Sequence, residues 1–247
     1  DRRTNRDYAI VALTTGTSFV DITRARRPQV VGIMPTETGV SFWRDVKTSG
    51  NFAYVVSDRN GSHGLQIFDL KRLRRSSRDQ IFSPDRIYRR IKNAHNIAIH
   101  DGYAYVVGAF KQEGVASKTL ANGGLYILDI RDPLEPVPVG AYRKDGYIHD
   151  TQVVKYKGPD KKWNGKTIAF NSSVDSFSIV SLESHEKPTR ISRNTYDGAG
   201  FVHQGWLSED HQLFFTNDSK DELIATGDTR PKTHIWDVRK LRKPKYL

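Results

Sequence analysis

Three histidines recur at an even spacing. His95, His149 and His203 are separated by 54 residues each, and Arg44 stands 51 residues before the first of them. Each is followed by a short polar side chain: Asp45, Asn96, Asp150 and Gln204. Three neutral imidazoles brought to one place suit a borderline divalent metal such as Zn²⁺ or Fe²⁺. The neighbouring acids and amides would then accept hydrogen bonds that fix the rings. A metal held there would draw the pKa of a bound water towards neutrality. The guanidinium of Arg44 points elsewhere, because it repels a bare cation and suits an anionic ligand. The same residues also admit a structural reading, in which each ring bonds a carbonyl of the next repeat and ties the repeats together.

Little else in the sequence offers chemistry. Asp58, Asn60 and Ser62 alternate like the start of a calcium loop, but no downstream acid completes it. The absence of cysteine excludes disulfides, thiolate metal sites and a cysteine nucleophile. There is neither a G-x-S-x-G elbow nor a G-x-x-x-x-G-K-[ST] phosphate loop.

An even spacing of this kind requires a repeated element, and the sequence has one. An apolar-x-apolar-Asp-apolar strand recurs as SFVDI, QIFDL, YILDI, SIVSL and HIWDV, ending at Ile22, Leu70, Ile130, Leu182 and Val238. Successive copies lie 48, 60, 52 and 56 residues apart. Ahead of each runs a strand rich in β-branched and aromatic residues, beginning at Tyr8, Phe52, Tyr103, Thr167 and Leu213. A further strand follows at Gln29–Met34, Val137–Tyr142 and Thr189–Arg193. The histidines and Arg44 open the first strand of four units. The repeat aspartates Asp21, Asp69, Asp129 and Asp237 stand where strand gives way to turn, so they are expected to cap that turn; Ser181 takes the place in the fourth copy.

Regular four-strand units of about 50 residues predict an all-β fold, a β-propeller of four-stranded antiparallel blades. A β-sandwich is the alternative, and it does not account for so regular a repeat. The predicted division is a partial blade at 1–40, blades at 41–92, 93–146 and 147–200, and a partial blade at 201–247, all in one domain. The first unit lacks its opening strand and the last stops where its fourth should begin. The expectation is therefore about four to five blades of a ring of about six or seven, completed by further chain or by a partner. Only Lys71–Lys92 has room for a helix. Strands opening successive blades line a propeller's axis, which would place the three imidazoles and the guanidinium in a ring at one height.

The net charge is +11, with 39 Lys and Arg against 28 Asp and Glu. The excess gathers at Lys71, Arg72, Arg74 and Arg75 and at Arg239, Lys240, Arg242 and Lys243. Such a rim would attract an acidic partner. The basic runs lack the interleaved aromatics of a single-strand platform and no base-reading motif is present, so nucleic acid is not the expected partner. No apolar run is long enough to span a bilayer, and Asp1–Asp7 is polar, without the character of a secretory signal.

Several runs taken in order carry a family resemblance: Tyr8–Ile22, Trp43-Arg44-Asp45, Ala53–Ser57, His63–Leu70, Ala94-His95-Asn96, His149–Gln152 and His203–Trp206. They resemble the choice-of-anchor B family of LVIVD-repeat propellers across nearly the whole chain. The resemblance implies a propeller on an exported, cell-surface or organelle-lumen protein, with no established common activity. It also implies a further Asp-His-Asn unit after the last residue here. Two functional readings follow. The first is a non-enzymatic binding or scaffold propeller, docking through its basic rim onto an acidic protein or larger assembly. The second is a metal-binding protein or metal-dependent enzyme that uses the axial histidines with a divalent ion (Zn, Fe or Ca).

Overall fold

The computed structural model describes residues 1–76, 78–111, 123–221 and 230–247. Ser77, within the first basic run, lies outside the described residues. The apolar runs of the repeat form strands, and tight turns reverse the chain between them. Gly50, at φ 56°, and Asp101 and Gly102, at φ 47° and 77°, supply the left-handed backbone of two of these turns.

Sheet one holds β1 (Tyr8–Leu13), β2 (Gly16–Asp21) and β3 (Gln29–Pro35). Sheet two holds β4 (Arg44–Ser49), β5 (Phe52–Ser57) and β6 (Leu65–Asp69). The chain then makes a 3₁₀ turn at Leu70–Arg75 and lends β7 (Gln80–Ile81) to sheet one, parallel to β3. It returns with β8 (Arg86–Tyr88) as the outer strand of sheet two. The region with room for a helix is thus a single 3₁₀ turn and two short strands. Next come β9 (Ile91–Asn93), β10 (Asn96–His100), β11 (Tyr103–Val107) and β12 (Phe110–Lys111), the last pairing back onto β9. Sheet three is β10 and β11 with β13 (Leu125–Asp129) and β14 (Val137–Tyr142). Sheet four is β15 (Ile148–Lys155), β16 (Thr167–Ser173), β17 (Ser176–Ser181) and β18 (Thr189–Asn194). Sheet five is β19 (Val202–Leu207), β20 (Leu213–Asp218), β21 (Thr233–Asp237) and β22 (Lys245–Tyr246).

Sheets two to five are antiparallel and follow the chain from inner to outer strand. Sheet one begins with the repeat's second strand, and its outermost member comes from the next repeat. Sheet five does have a fourth strand, two residues long. The innermost strands β1, β4, β10, β15 and β19 lie side by side in that order, which gives the sheets a common axis. The bulge between the third and fourth strands recurs at one place in three sheets, after Phe19, Ile127 and Ile179.

The sheets pack face to face, and each strand buries side chains on both sides. In β5, Ala53 and Val55 face sheet one with Phe19, Phe68 and Phe82, while Tyr54 and Val56 face sheet three with Val106 and Tyr126. Tyr105 and Ile127 meet Ala169 and Val180 of sheet four. Phe170 and Phe177 meet Phe214 and Trp236 of sheet five. This two-sided burial explains why the sequence shows continuous apolar runs rather than simple alternation. Each such aromatic contributes about 2–3 kcal/mol by its burial.

The repeat aspartates cap their turns as expected. Asp21, Asp69, Asp129 and Asp237 each accept the backbone N–H two residues on, at 2.9, 2.9, 3.0 and 3.0 Å. No helix among the described residues is long and apolar enough to cross a membrane.

Candidate functional site

The inner strands carry the histidines on bulges. Ile148 pairs with Ser173 and Asp150 with Ser172, which leaves His149 as the extra residue; His203 is likewise extra between Val202 and Gln204. At the head of β10, the His95 N–H donates to Val107 O while Asn96 is the register partner of the same valine. A bulge re-aims the extra side chain away from the regular alternation. Here it brings the rings together in a column, with centroids 3.9 Å apart for His95–His149 and 4.1 Å for His149–His203. Gly108, at φ 59°, closes against the first ring, since a Cβ there would lie 2.6 Å from the His95 Cβ.

Hydrogen bonds fix two of the rings. His149 Nδ1 donates to the His203 carbonyl at 2.8 Å. Burial and the flanking imidazoles lower the His149 pKa to about 4, so the ring is neutral and its Nε2 carries a lone pair. His95 Nδ1 donates to Asp58 Oδ2 at 2.9 Å. Burial pushes Asp58 up, but the bonds from His95 and the Arg59 N–H outweigh it and hold the carboxyl below its usual range. These bonds also join sheets: His149 in sheet four to sheet five, and His95 in sheet three to sheet two.

Arg44 departs from the expected ring. Its residue pairs regularly with Ser57, with no bulge to turn it towards the axis. Nε donates to Leu13 O at 3.0 Å, Nη2 to Thr36 Oγ1 at 2.8 Å, and Nη1 to His63 Nε2 at 2.9 Å. The guanidinium therefore clamps sheet one to sheet two and is not presented to an anion. His63, in the loop between β5 and β6, is fully buried. Its Nδ1 donates to Gly64 O, and burial lowers its pKa to about 4.

The polar neighbours divide their roles. Asp45 accepts the Ile97 N–H of the next inner strand at 3.1 Å and holds Lys47 at 2.6 Å. Asp150 is raised by burial and has no ion-pair partner among the described residues. Asn96 and Gln204 border the same cavity. That cavity, of ≈ 490 Å³, opens where the histidine column ends, and it takes in Arg44, Asp45 and all three histidines. Phe42, Trp43 and Trp206 wall it and are 82%, 43% and 66% exposed.

For a metal, the tautomers of His95 and His149 fit, since each donates Nδ1–H to an oxygen and leaves Nε2 open. Their placement does not fit. The rings are tilted against one another by 45° and 43°, and among the described residues no three His, Asp or Glu side chains are grouped to hold an ion. The expectation of a His95–His149–His203 cage for Zn, Fe or Ca finds no support in this geometry.

The basic rim lies at the other end of the sheets. The register sets Arg44 opposite Ser57 and Phe52 opposite Asp69, so the turn after each repeat aspartate is one strand length from the histidine end. Part of the rim is committed internally. Arg72 bonds Ser83 O and Asp85 and lies over Phe68, Arg74 bonds Asp1 at 2.6 Å, and Arg239 chelates Asp237. Lys71, Arg75, Lys240, Arg242 and Lys243 are exposed, as are Arg24, Arg26 and Arg27 on the equivalent turn of sheet one.

Sequence reasoning missed the bond from His95 to Asp58, the clamp between His63 and Arg44, and the aromatic wall. A signal was available for the wall, because Trp43 adjoins Arg44 and Trp206 follows His203 by three. Three further histidines are also partnered: His185 Nε2 with Tyr105 Oη at 2.9 Å, His211 Nδ1 with the Lys157 N–H, and His234 with Tyr246 and Asp221.

Four-stranded antiparallel sheets set around one axis, with a cavity at its mouth, define a β-propeller. Residues 43–70 and 91–112 match the LVIVD repeat, and the chain carries LVIVD repeats. No curated protein matches the sequence. Among solved structures, a functionally unknown protein from Desulfotomaculum acetoxidans superposes with a TM-score of 0.61 at 12% identity, covering 97% of this chain and 64% of that one. A protein from Lactobacillus plantarum gives 0.60 at 11%, covering 96% and 63%. The Cps50 (Swd1) β-propeller domain of Myceliophteria thermophila gives 0.52 at 13%, again covering 96% and 63%. The chain thus spans less than two thirds of each, and at these identities the likeness establishes the fold alone.

Proposed function

We propose that the protein is a non-enzymatic binding propeller that docks onto an acidic protein or larger assembly through its basic end. One observation carries this reading. The turns after the repeat aspartates of sheets one, two and five emerge at the same end and present Arg24, Arg26, Arg27, Lys71, Arg75, Lys240, Arg242 and Lys243 to solvent. Cations concentrated on one end steer and hold an anionic surface. The axial histidines support a binding role over catalysis, because two of the rings are held by bonds between sheets. The resemblance to choice-of-anchor B proteins supports a site of action outside the cytosol.

The test is binding of poly-L-glutamate, as a stand-in for an acidic face, across a salt series. Charge reversal at Lys71, Arg75, Arg242 and Lys243 should weaken binding and flatten its salt dependence. Undiminished affinity after reversal would sink the proposal. Arg72, Arg74 and Arg239 are left intact, since their removal would disturb the fold itself.

A further inference from the structure

We infer that the axial cavity is a binding site for an organic cation, a primary ammonium or guanidinium group. The site is separate from the basic end and does not depend on it.

The cavity is lined with groups that accept hydrogen bonds. His95 and His149 are held with Nδ1 as donor, towards Asp58 and the His203 carbonyl, and the neutral His149 ring offers an Nε2 lone pair. Asp150 adds a half-buried carboxylate that accepts the Thr151 N–H, feels Lys47 and His203 only at a distance, and has no ion-pair partner within reach among the described residues. A half-buried carboxylate gains from a cation that joins it. Gln204 and Asn217 add amide oxygens at the wall.

The cations near the cavity are already engaged. Arg44 directs three donors to Leu13, Thr36 and His63. Lys47 bonds both oxygens of Asp45. Arg59 lies over the Trp43 ring, 4.9 Å from its centroid. That last contact shows the wall accommodating a guanidinium on an aromatic face, and Phe42 and Trp206 extend the aromatic surface around the opening. An aromatic face, a carboxylate and an imidazole lone pair together select a cation over a neutral or anionic group. In a molecule of net charge +11, the lining of this cavity sets two carboxylates, Asp45 and Asp150, against one guanidinium, Arg44.

The cation can come from a peptide side chain or from a free polyamine, and one titration series separates them. The probes are Nα-acetyl-arginine amide, Nα-acetyl-lysine amide, spermidine and the neutral Nα-acetyl-citrulline amide, titrated calorimetrically against the whole chain. At least one cationic probe should bind and the citrulline should not. The tighter class, peptide or polyamine, names the source. Asp150→Asn should weaken binding by about tenfold or more, and Trp206→Ala, at an exposed position, by about threefold or more, with both unfolding transitions checked to be intact. Reversal at Lys71 and Arg75 should leave the affinity unchanged, which keeps this site distinguishable from the basic end. Equal binding of citrulline and arginine, unchanged affinity in a folded Asp150→Asn protein, or binding of none of the probes would overturn the inference.

Discussion

His95 donates from Nδ1 to Asp58 at 2.9 Å, and this bond crosses from the third sheet to the second. It joins the mouth of the axis to the loop that follows β5, and it leaves Nε2 as the ring nitrogen of His95 not engaged with Asp58. Asp58→Asn keeps the shape but replaces a charged acceptor with a neutral amide. The expected cost is about 1–3 kcal/mol in urea unfolding, with a change in the His95 tautomer visible in its ring ¹⁵N shifts. An unchanged tautomer and unchanged stability would mean that the bond contributes little.

Acid should destabilise the fold well before its carboxylates protonate. His63 and His149 take up protons near pH 4 when folded, against the ordinary value of 6.5. Between those values the unfolded chain binds more protons. Stability from these rings is therefore complete above pH 6.5 and declines as pH falls towards about 4, by up to about 1.4 kcal/mol per pH unit for each ring. Urea midpoints measured across that range should fall, and a His63→Gln/His149→Gln variant should show a flatter decline. A wild-type midpoint independent of pH would contradict this.

Arg44 acts as a clamp, and its loss should register as lost stability. Arg44→Met leaves Leu13 O and His63 Nε2 without their Arg44 donors, while Thr36 Oγ1 keeps the Asn60 amide, at an expected cost of about 2–3 kcal/mol. Arg44 also disfavours the protonated form of His63, so the His63 pKa should rise in the variant, measurable by NMR titration.

Ser181 stands where four other repeats place an aspartate whose carboxylate accepts an N–H two residues on. Ser181→Asp should add such a bond and stabilise the protein by about 0.5–1 kcal/mol in denaturant unfolding. Asp237→Ala, which removes one, should cost about 1 kcal/mol.

Metal content gives a direct check on the histidine column. With no three His, Asp or Glu side chains grouped to hold an ion among the described residues, no near-stoichiometric Zn, Fe or Ca is expected in the purified protein by elemental analysis. One equivalent that disappears in a His95→Ala/His149→Ala/His203→Ala variant would restore the metal reading.

By itself the sequence determined the repeat and most of its strands. Burying a strand between two sheets demands a continuous run of β-branched and aromatic residues, and a turn demands a capping acid; both requirements act over a few neighbouring residues and leave a readable pattern. It also placed His95, His149 and His203 at equivalent points, because equal spacing in a repeat becomes equal height about an axis. What it could not determine was which way each side chain points and what it meets. A bulge at His149 and His203 aims their rings at the axis, and regular pairing at Arg44 sends its guanidinium to Leu13, Thr36 and His63. Asp58 and His95 lie 37 residues apart and meet only because adjacent sheets bring them together. The exchange of β7 into sheet one has the same origin, since Gln80 and Ile81 find their partners in Gly32 and Ile33 of another repeat. Contacts between sheets depend on the relative placement of whole repeats, and no local run of residues encodes that.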